Sequence, residues 1–218
     1  MHTEKRDYSR ILIVEGVDDR HSVIGLMKNH TTWPEERSEW PVWVEVGNSV
    51  DQILEPGYLT TEIKASNAKI VGVMLDADIQ AHGRYQRIRQ LCATLFPDLP
   101  AHMPGGGLVI DNGDDKRFGL WLMPDNTSEG ALETFLRYLV PNPKEALWKQ
   151  ACGCVMAAIS AGAECRERHV PKANLYTWLA WQDPPGQSPG LALTRQILDP
   201  HSKYAEPFVS WFKQLFQL

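Results

Sequence analysis

The sequence predicts an α/β fold in which a largely parallel central sheet is flanked by helices and followed by a helical C-terminal part. Two segments, "RILIVEG" from Arg10 and "AKIVGVMLDAD" from Ala68, are continuous apolar runs. Such runs are typical of strands that are buried on both faces of a parallel sheet. Segments with apolar residues at helical spacing alternate with them, as expected of βα units. From Glu129 onward the pattern is helical. We therefore expect an α/β core over residues 1–140 and a helical extension over 141–218, packed on the same domain.

The other elements follow from the same periodicities. "DDRHSVIGLMKNH" and "RYQRIRQLCATLF" predict helices after the first and third strands, and "WPVWVEVG" predicts the strand between them. The apolar runs "GLVI" and "FGLWLM" flank the polar turn "DNGDDKR", which indicates a hairpin or edge pair appended to the sheet. The closing segment "EPFVSWFKQLFQL" has an apolar stripe that predicts a helix docked on the core.

Composition limits the classes of protein that the chain can represent. It has 218 residues, of which 43% are hydrophobic and 22% charged, and no apolar run approaches the roughly 20 residues of a membrane span. The first residues, "MHTEKRDYSR", lack the apolar core of a secretory signal, so we expect a cytoplasmic protein that does not contact membranes. The net charge of −5 argues against a broad basic surface for nucleic acid. It is compatible with a local acidic cluster whose bound cations would restore the charge.

Carboxylates follow both apolar strands at the point where each strand ends. Glu15 ends "RILIVEG", and Asp76 and Asp78 end "VGVMLDAD". Alternate residues on a strand point to one face, and the carboxyl ends of parallel strands meet at one edge of a sheet. Hard divalent cations such as Mg²⁺ take oxygen ligands. The sequence therefore predicts a metal site at this edge, although a strand-end aspartate also serves simply to cap the next helix.

These residues resemble a known family. "LIVEG" followed by "VMLDAD" is similar to the Toprim domain, which is shared by topoisomerases, bacterial primases, small RNA-maturation nucleases and OLD-type nucleases. The resemblance covers the predicted core and implies a Rossmann-like sheet with a glutamate and a D-x-D pair that bind Mg²⁺. "LWLMPDNTSEGALETFL" further resembles a bacterial family of stand-alone, OLD-like Toprim proteins.

The resemblance also implies a set of site residues. The implied metal ligands are Glu15, Asp19, Asp76, Asp78, Asp125 and Glu133, with Glu133 joining a second metal site. The implied catalytic residues are Glu15, Asp76, Asp78 and Lys172, the last as a lysine near the scissile phosphate. Most lysines are simply solvated, which is the plainer interpretation of Lys172.

Two neighbouring acids have a different predicted role. Asn126-x-x-Glu129 fits a capping box, so Glu129 is predicted to cap the following helix. Asp18 is predicted to cap the first helix, which leaves Asp19 to face the site.

The implied function is a Mg²⁺- or Mn²⁺-dependent nuclease that acts on DNA or RNA. Two ions held by carboxylates suit phosphodiester hydrolysis, since one activates water and both stabilise the charge of the transition state. The same resemblance implies a further partner, a separately encoded ATPase, and a role in defence against phage. The oligomeric state stays open. Two interpretations stay open for a group of basic residues: they contact backbone phosphates, or they form a solvated face. These residues are Arg84, Arg87, Arg89, Lys116 and Arg117.

Two other functions stay open. The D-x-D strand also resembles the first motif of haloacid-dehalogenase-type phosphatases, but Gln80 stands where they have Thr or Val, and they have no role for Glu15. The third possibility is a non-catalytic module that binds a protein partner and whose metal site is vestigial or structural.

Overall fold

The computed structural model describes residues 5–65, 67–113 and 115–218. Residues 1–4 of the predicted core, Ser66 and Asp114 of the predicted turn lie outside the described residues. In the described part of the chain, five strands form one sheet in the order β2-β1-β3-β5-β4. The strands are β1 (Arg10–Val14), β2 (Trp43–Val46), β3 (Ile70–Asp76), β4 (Leu108–Asp111) and β5 (Arg117–Met123).

The sheet is parallel except at one edge. β1 pairs in parallel with β2 and β3, and β3 pairs in parallel with β5. Only β4 runs antiparallel, against β5, as the hairpin pattern predicts. Because β1 and β3 are adjacent and parallel, their carboxyl ends lie side by side at one edge.

Helices cover both faces of the sheet and form the C-terminal part. They are α1 (Val17–Met27), α2 (Val50–Ile53), α3 (Tyr58–Lys64), α4 (Ala81–Cys92), α5 (Leu132–Tyr138), α6 (Glu145–Ser160), α7 (Val170–Ala180), α8 (Pro189–Thr194) and α9 (Glu206–Phe216). Short 3₁₀ turns lie at Lys5–Asp7, Arg37–Glu39, Asn142–Lys144 and Glu167–His169. The predicted α/β fold with a largely parallel sheet, flanking helices and a helical C-terminal part is thus confirmed. The boundary at residue 140 stays a prediction.

Each face of the sheet has its own apolar core. On one face, α2, α3 and α4 pack through residues such as Ile63 and Ile88. On the other face, α1, α5 and the C-terminal helices pack together, and α9 supplies Phe208, Phe212 and Phe216. The predicted docking of the last helix is therefore confirmed. Among the described residues, no helix is both long and apolar enough to span a bilayer.

Two adjacent glycines let α9 approach the sheet closely. Gly72 of β3 and Gly119 of β5 are register partners in the sheet. An added Cβ would lie 2.9 Å from Leu215 Cδ2 at Gly72 and 2.4 Å from the same atom at Gly119. Leu215 therefore fills the space that side chains at both positions would need.

Candidate functional site

A cleft of about 470 Å³ opens at the carboxyl ends of β1 and β3. The charged residues that line it are Glu15, Asp18, Asp19, Asp76, Glu133 and Lys172. They come from different elements: strand ends, the first turns of α1 and α5, and the first turn of α7. The fold therefore gathers five carboxylates and one ammonium from distant parts of the chain.

The two strand ends are joined by a side chain. The backbone amide of Asp76 donates a hydrogen bond of 2.8 Å to Glu15 Oε1. Asp76 in turn accepts a hydrogen bond of 2.9 Å at Oδ1 from the backbone amide of Leu132, the first residue of α5. One oxygen of each carboxylate is thereby fixed by a backbone amide, and β1, β3 and α5 meet at the cleft.

The loop before α5 is also tied to the end of β3. The backbone groups of Asp78 and Gly130 exchange two hydrogen bonds, of 2.9 and 2.8 Å. Because Gly130 lies only two residues before Leu132, this bridge and the bond to Leu132 hold the start of α5 against the end of β3. Glu133, in the first turn of α5, thereby enters the cleft with a side chain that is only 16% exposed.

Both acids at the start of α1 line the cleft, as predicted for Asp19, but Asp19 and not Asp18 forms the capping contact. Asp19 Oδ2 accepts a 2.9 Å hydrogen bond from the backbone amide of Gly16, the residue that precedes the helix. Asp18 Oδ2 instead accepts hydrogen bonds from Lys172 Nζ (2.9 Å) and the Tyr176 hydroxyl (3.0 Å), both on α7. The predicted cap at Asp18 is wrong, because α1 begins at Val17 and Asp19 occupies the third helical position.

Burial and mutual repulsion favour the protonated forms of the clustered carboxylates. Burial, together with the charges of Glu15, Asp19 and Glu133, raises the pKa of Asp76 to about 9. Burial and the charges of Glu15 and Glu133 raise the pKa of Asp19 to about 7. Burial also raises the pKa of Glu15. Near neutral pH the cluster therefore retains protons, above all on Asp76. A bound cation would instead stabilise the ionised carboxylates.

Where α7 borders the cleft, the negative charge of Asp18 is compensated by the ammonium of Lys172. Although burial acts to raise it, hydrogen bonds from Lys172 and Tyr176 lower the pKa of Asp18 below its usual value. The hydrogen bond with Asp18 raises the pKa of Lys172. Lys172 Nζ also lies 4.0 Å from Glu133 Oε1, so its ammonium stands between two carboxylates.

Asp78 does not join Asp76 in the cleft. β3 ends at Asp76, and Asp78 has a left-handed backbone with φ of 52°, so the alternation of side chains along a strand does not extend to it. Its side chain forms an ion pair with Arg84 and lines a neighbouring pocket of about 400 Å³. The expectation that Asp76 and Asp78 share one face is wrong for this reason.

Asp125 also lies outside the cleft lining and is used locally. Its carboxylate accepts hydrogen bonds from the backbone and side chains of Thr127 and Ser128. Although burial acts to raise it, these bonds lower the pKa of Asp125. Asp125 therefore stabilises its own turn.

The capping box predicted at Asn126 and Glu129 is wrong. Asn126 is buried with φ of 69°, and its side chain bonds to Leu122 N and Gly105 O. The helix starts only at Leu132, so Glu129 precedes it as an exposed residue. Glu133 consequently occupies the first turn and not an interior turn.

Most of the candidate phosphate-binding cations have structural partners. Lys116 Nζ donates to Ala65 O and Ala68 O, and Arg89 Nε donates to Leu99 O. Arg117 pairs with Asp111. Arg87 is exposed and lines the pocket beside the cleft together with Arg84.

The structure adds residues that sequence reasoning missed. Tyr176 reaches Asp18 across 158 positions of sequence, and the loop after β2 contributes Asn48 and Ser49 to the cleft lining. The spacing of Lys172 and Tyr176, one helical turn apart on α7, is the one local signal that links Tyr176 to the site.

The cleft is lined by five carboxylates, and carboxylate oxygens are ligands that hard divalent cations prefer. The chemistry of the cleft therefore fits such a cation. As placed, however, no three Asp, Glu, His or Cys side chains in the described ranges stand in an arrangement that would hold a metal ion. Glu15, Asp19 and Asp76 each direct one oxygen to a backbone amide. Binding a cation would therefore require these side chains to move closer together.

The fold and the cleft define an α/β protein with an acidic site at the carboxyl edge of a mainly parallel sheet. The chain belongs to the family described as Protein of unknown function (DUF3226), whose model matches residues 9–217. That match includes both the sheet and the C-terminal helices. No curated protein and no solved structure gives a significant match.

Proposed function

We propose that the protein is a Mg²⁺- or Mn²⁺-dependent nuclease that hydrolyses phosphodiester bonds of DNA or RNA. The observation that carries this proposal is the convergence of Glu15, Asp19, Asp76 and Glu133 on one cleft at the carboxyl edge of the sheet. Structural ion pairs explain clustered charges elsewhere in the chain, such as Arg117 with Asp111. They do not explain three partly buried acids, of which Asp19 and Asp76 are both repelled by the charge of Glu15.

The residues of the cleft have distinct roles in this proposal. Glu15, Asp19, Asp76 and Glu133 would hold the cation, whereas Asp78 and Asp125 are left out because their side chains lie elsewhere. When bound, such an ion lowers the pKa of water and stabilises negative charge on a phosphoryl group. The backbone amides of Asp76 and Gly16 donate hydrogen bonds that fix one oxygen of Glu15 and of Asp19, and the second oxygen of each carboxylate would bind the cation. Lys172 presents a positive charge at the rim, where an anionic substrate would arrive.

Nucleic acid is the substrate class that the surroundings favour. The pocket beside the cleft is lined by Arg84 and Arg87, and Arg84 is close enough to lower the pKa of Glu15 electrostatically. A strand whose scissile phosphate entered the cleft would place a neighbouring phosphate near these arginines. A cytoplasmic location, a separately encoded ATPase partner and a role in phage defence belong to the same proposal.

The direct test is incubation of the purified protein with plasmid, single-stranded DNA and tRNA, each with Mg²⁺, Mn²⁺ or EDTA. We expect cleavage of at least one substrate with a divalent cation and none with EDTA. Asp76→Asn should abolish that cleavage because it removes a carboxylate that would ionise and bind the cation at the end of β3. Asp98→Asn, at an exposed acid in a turn remote from the cleft lining, is the matched control and should cleave like the wild type.

The same preparation distinguishes the other two functions. Hydrolysis of a small phosphomonoester without cleavage of nucleic acid would favour the phosphatase alternative. A cation-dependent rise in melting temperature without any hydrolysis would favour the non-catalytic binding module. Cleavage that persists in EDTA or in Asp76→Asn would contradict the proposed site.

A further inference from the structure

Lys172 of α7 lines the cleft beside Asp18 and Glu133. Its Nζ is 2.9 Å from Asp18 Oδ2 and 4.0 Å from Glu133 Oε1. An ammonium between two carboxylates compensates their charge in the way that a bound cation would. Among the residues described along the cleft, Lys172 is the one cation.

A second residue of α7 fixes this arrangement. The Tyr176 hydroxyl donates a 3.0 Å hydrogen bond to the same Asp18 oxygen that accepts from Lys172. Leu175, Trp178 and Leu179 of α7 are buried in the core. Because the helix is anchored there, the Lys172 side chain reaches the cleft from a rigid element, and Asp18 is held by two donors at once.

The carboxylates of the cleft therefore fall into two groups. Glu15, Asp19 and Asp76 lie at the strand ends and the start of α1, where they repel one another. Asp18 has a cationic partner, and Glu133 stands between the two groups, close to Lys172 while also acting on Asp76 and Asp19. Among the described residues, no lysine or arginine forms an ion pair with the first group, although the charge of Arg84, which pairs with Asp78, also acts on Glu15.

We propose that the Lys172 ammonium takes the place of a second metal ion, so that the cleft binds one divalent cation and not two. This inference rests on the proposed function, since it concerns the number of cations in that same site. The resemblance to OLD-type enzymes implies two ions, with Glu133 at the second, and the Lys172 ammonium already lies 2.9 Å from Asp18 Oδ2 and 4.0 Å from Glu133 Oε1. A divalent ion within a few ångströms of the ammonium is repelled by its like charge.

The experiment is to count Mn²⁺ ions bound to the purified, metal-depleted full-length chain, by titration calorimetry and by the electron paramagnetic resonance signal of free Mn²⁺. The wild type should bind one ion. Lys172→Met removes the ammonium and keeps the length of the side chain, so its stoichiometry should rise to two. Lys149→Met, at an exposed lysine of α6, is the matched control and should bind one ion.

A double variant tests where the additional ion binds. Asp18 would be a ligand of the second ion once Lys172 is absent, so Lys172→Met with Asp18→Asn should return the stoichiometry to one. If Lys172→Met does not fold, as judged by circular dichroism, Lys172→Gln takes its place with the same expected gain of one ion.

Each outcome decides between the two proposals. Two ions bound by the wild type would overturn the role of Lys172 and leave the nuclease proposal in place. One ion bound by both the wild type and the Lys172 variants would overturn it as well. No ion bound by the wild type, together with no metal-dependent cleavage, would overturn the proposed function itself.

Discussion

The backbone amide of Asp76 donates a 2.8 Å hydrogen bond to the side chain of Glu15, across the ends of two adjacent parallel strands. This bond fixes one oxygen of Glu15 and holds the two carboxyl groups near each other. Without a cation, the ionised forms of these groups repel, and burial adds to the cost of ionising them. The carboxylates at the two strand ends are therefore unfavourable in their ionised forms unless a cation is bound between them.

Replacing Asp76 by asparagine should stabilise the metal-free protein at alkaline pH. Asparagine retains an oxygen that can accept from the Leu132 amide but cannot ionise beside Glu15, Asp19 and Glu133. For a chain of this size, about 1 kcal/mol shifts the melting temperature by roughly 2–4 °C. We expect a rise of at least that size for Asp76→Asn over the wild type at pH 9 in EDTA, measured by circular dichroism.

The pH dependence of the same melts follows from the raised pKa values. A carboxyl whose pKa is raised in the folded state binds more protons there than in the unfolded chain, so stability falls as the pH rises between the two values. For Asp76 this window runs from 3.8 to about 9, and for Asp19 from 3.8 to about 7. The wild type in EDTA should therefore lose stability from pH 5 to pH 9, and Asp76→Asn should lose less. Equal pH profiles for the two proteins would show that Asp76 is not protonated in the fold.

Replacing Asp78 by asparagine should leave nuclease activity within a few-fold of the wild type. Asparagine tolerates the left-handed backbone at this position, and the lost ion pair with Arg84 involves a carboxylate that is 56% exposed. Such a pair contributes about 1 kcal/mol or less. Cleavage rates at saturating Mn²⁺ would measure the effect, beside Asp76→Asn as the inactive reference. An inactive Asp78→Asn protein that melts normally would place Asp78 among the metal ligands after all.

The sequence predicted the sheet better than the details of the site. β1 and β3 were predictable because continuous apolar runs are typical of strands buried on both faces, and the hairpin of β4 and β5 followed from its polar turn. Asp78 was misplaced because the chain leaves the strand two residues earlier, with a change in backbone conformation that no pattern of apolar residues reveals.

The start of α5 was misplaced for a different reason. Asn126 matched a local capping pattern, but its side chain bonds to Leu122 and to Gly105, which is 21 residues away. The contact of Tyr176 with Asp18 likewise depends on the packing of α7. The sequence therefore predicts the edge of the sheet where the acids gather, whereas contacts between distant segments, such as Tyr176 with Asp18 and Asn126 with Gly105, depend on the packing of the whole fold.

Replacing Gly119 by alanine should destabilise the protein through α9. The new Cβ would lie 2.4 Å from Leu215 Cδ2, so the helix or the leucine must move. Overpacking of this kind costs about 1–3 kcal/mol. Denaturant unfolding of Gly119→Ala would measure the loss.

Two further variants identify the cause of that loss. Gly153→Ala in α6 is the control, since nothing lies within 4 Å of its Cβ and helical alanine is favoured over glycine by about 0.5–1 kcal/mol. Leu215→Ala should cost less in the Gly119→Ala background than alone, because the two side chains compete for one space. Additive losses would contradict the packing of Leu215 against Gly119.

Glu133 and Glu129 provide the most direct comparison within one segment. Glu133 lines the cleft and lies 4.0 Å from Lys172, whereas Glu129 is exposed and precedes α5. Glu133→Gln should lower metal-dependent cleavage by roughly 100-fold, as expected when a metal ligand or its close support is lost, and should reduce the rise in melting temperature that Mn²⁺ causes. Glu129→Gln should change the free energy of unfolding by about 0.5 kcal/mol or less and keep full activity, as for other surface substitutions. The measurements are cleavage rates and melting temperatures over a Mn²⁺ titration of both variants. If Glu129→Gln loses activity while Glu133→Gln keeps it, the loop before α5 supplies the ligand and the cleft has been assigned the wrong glutamate.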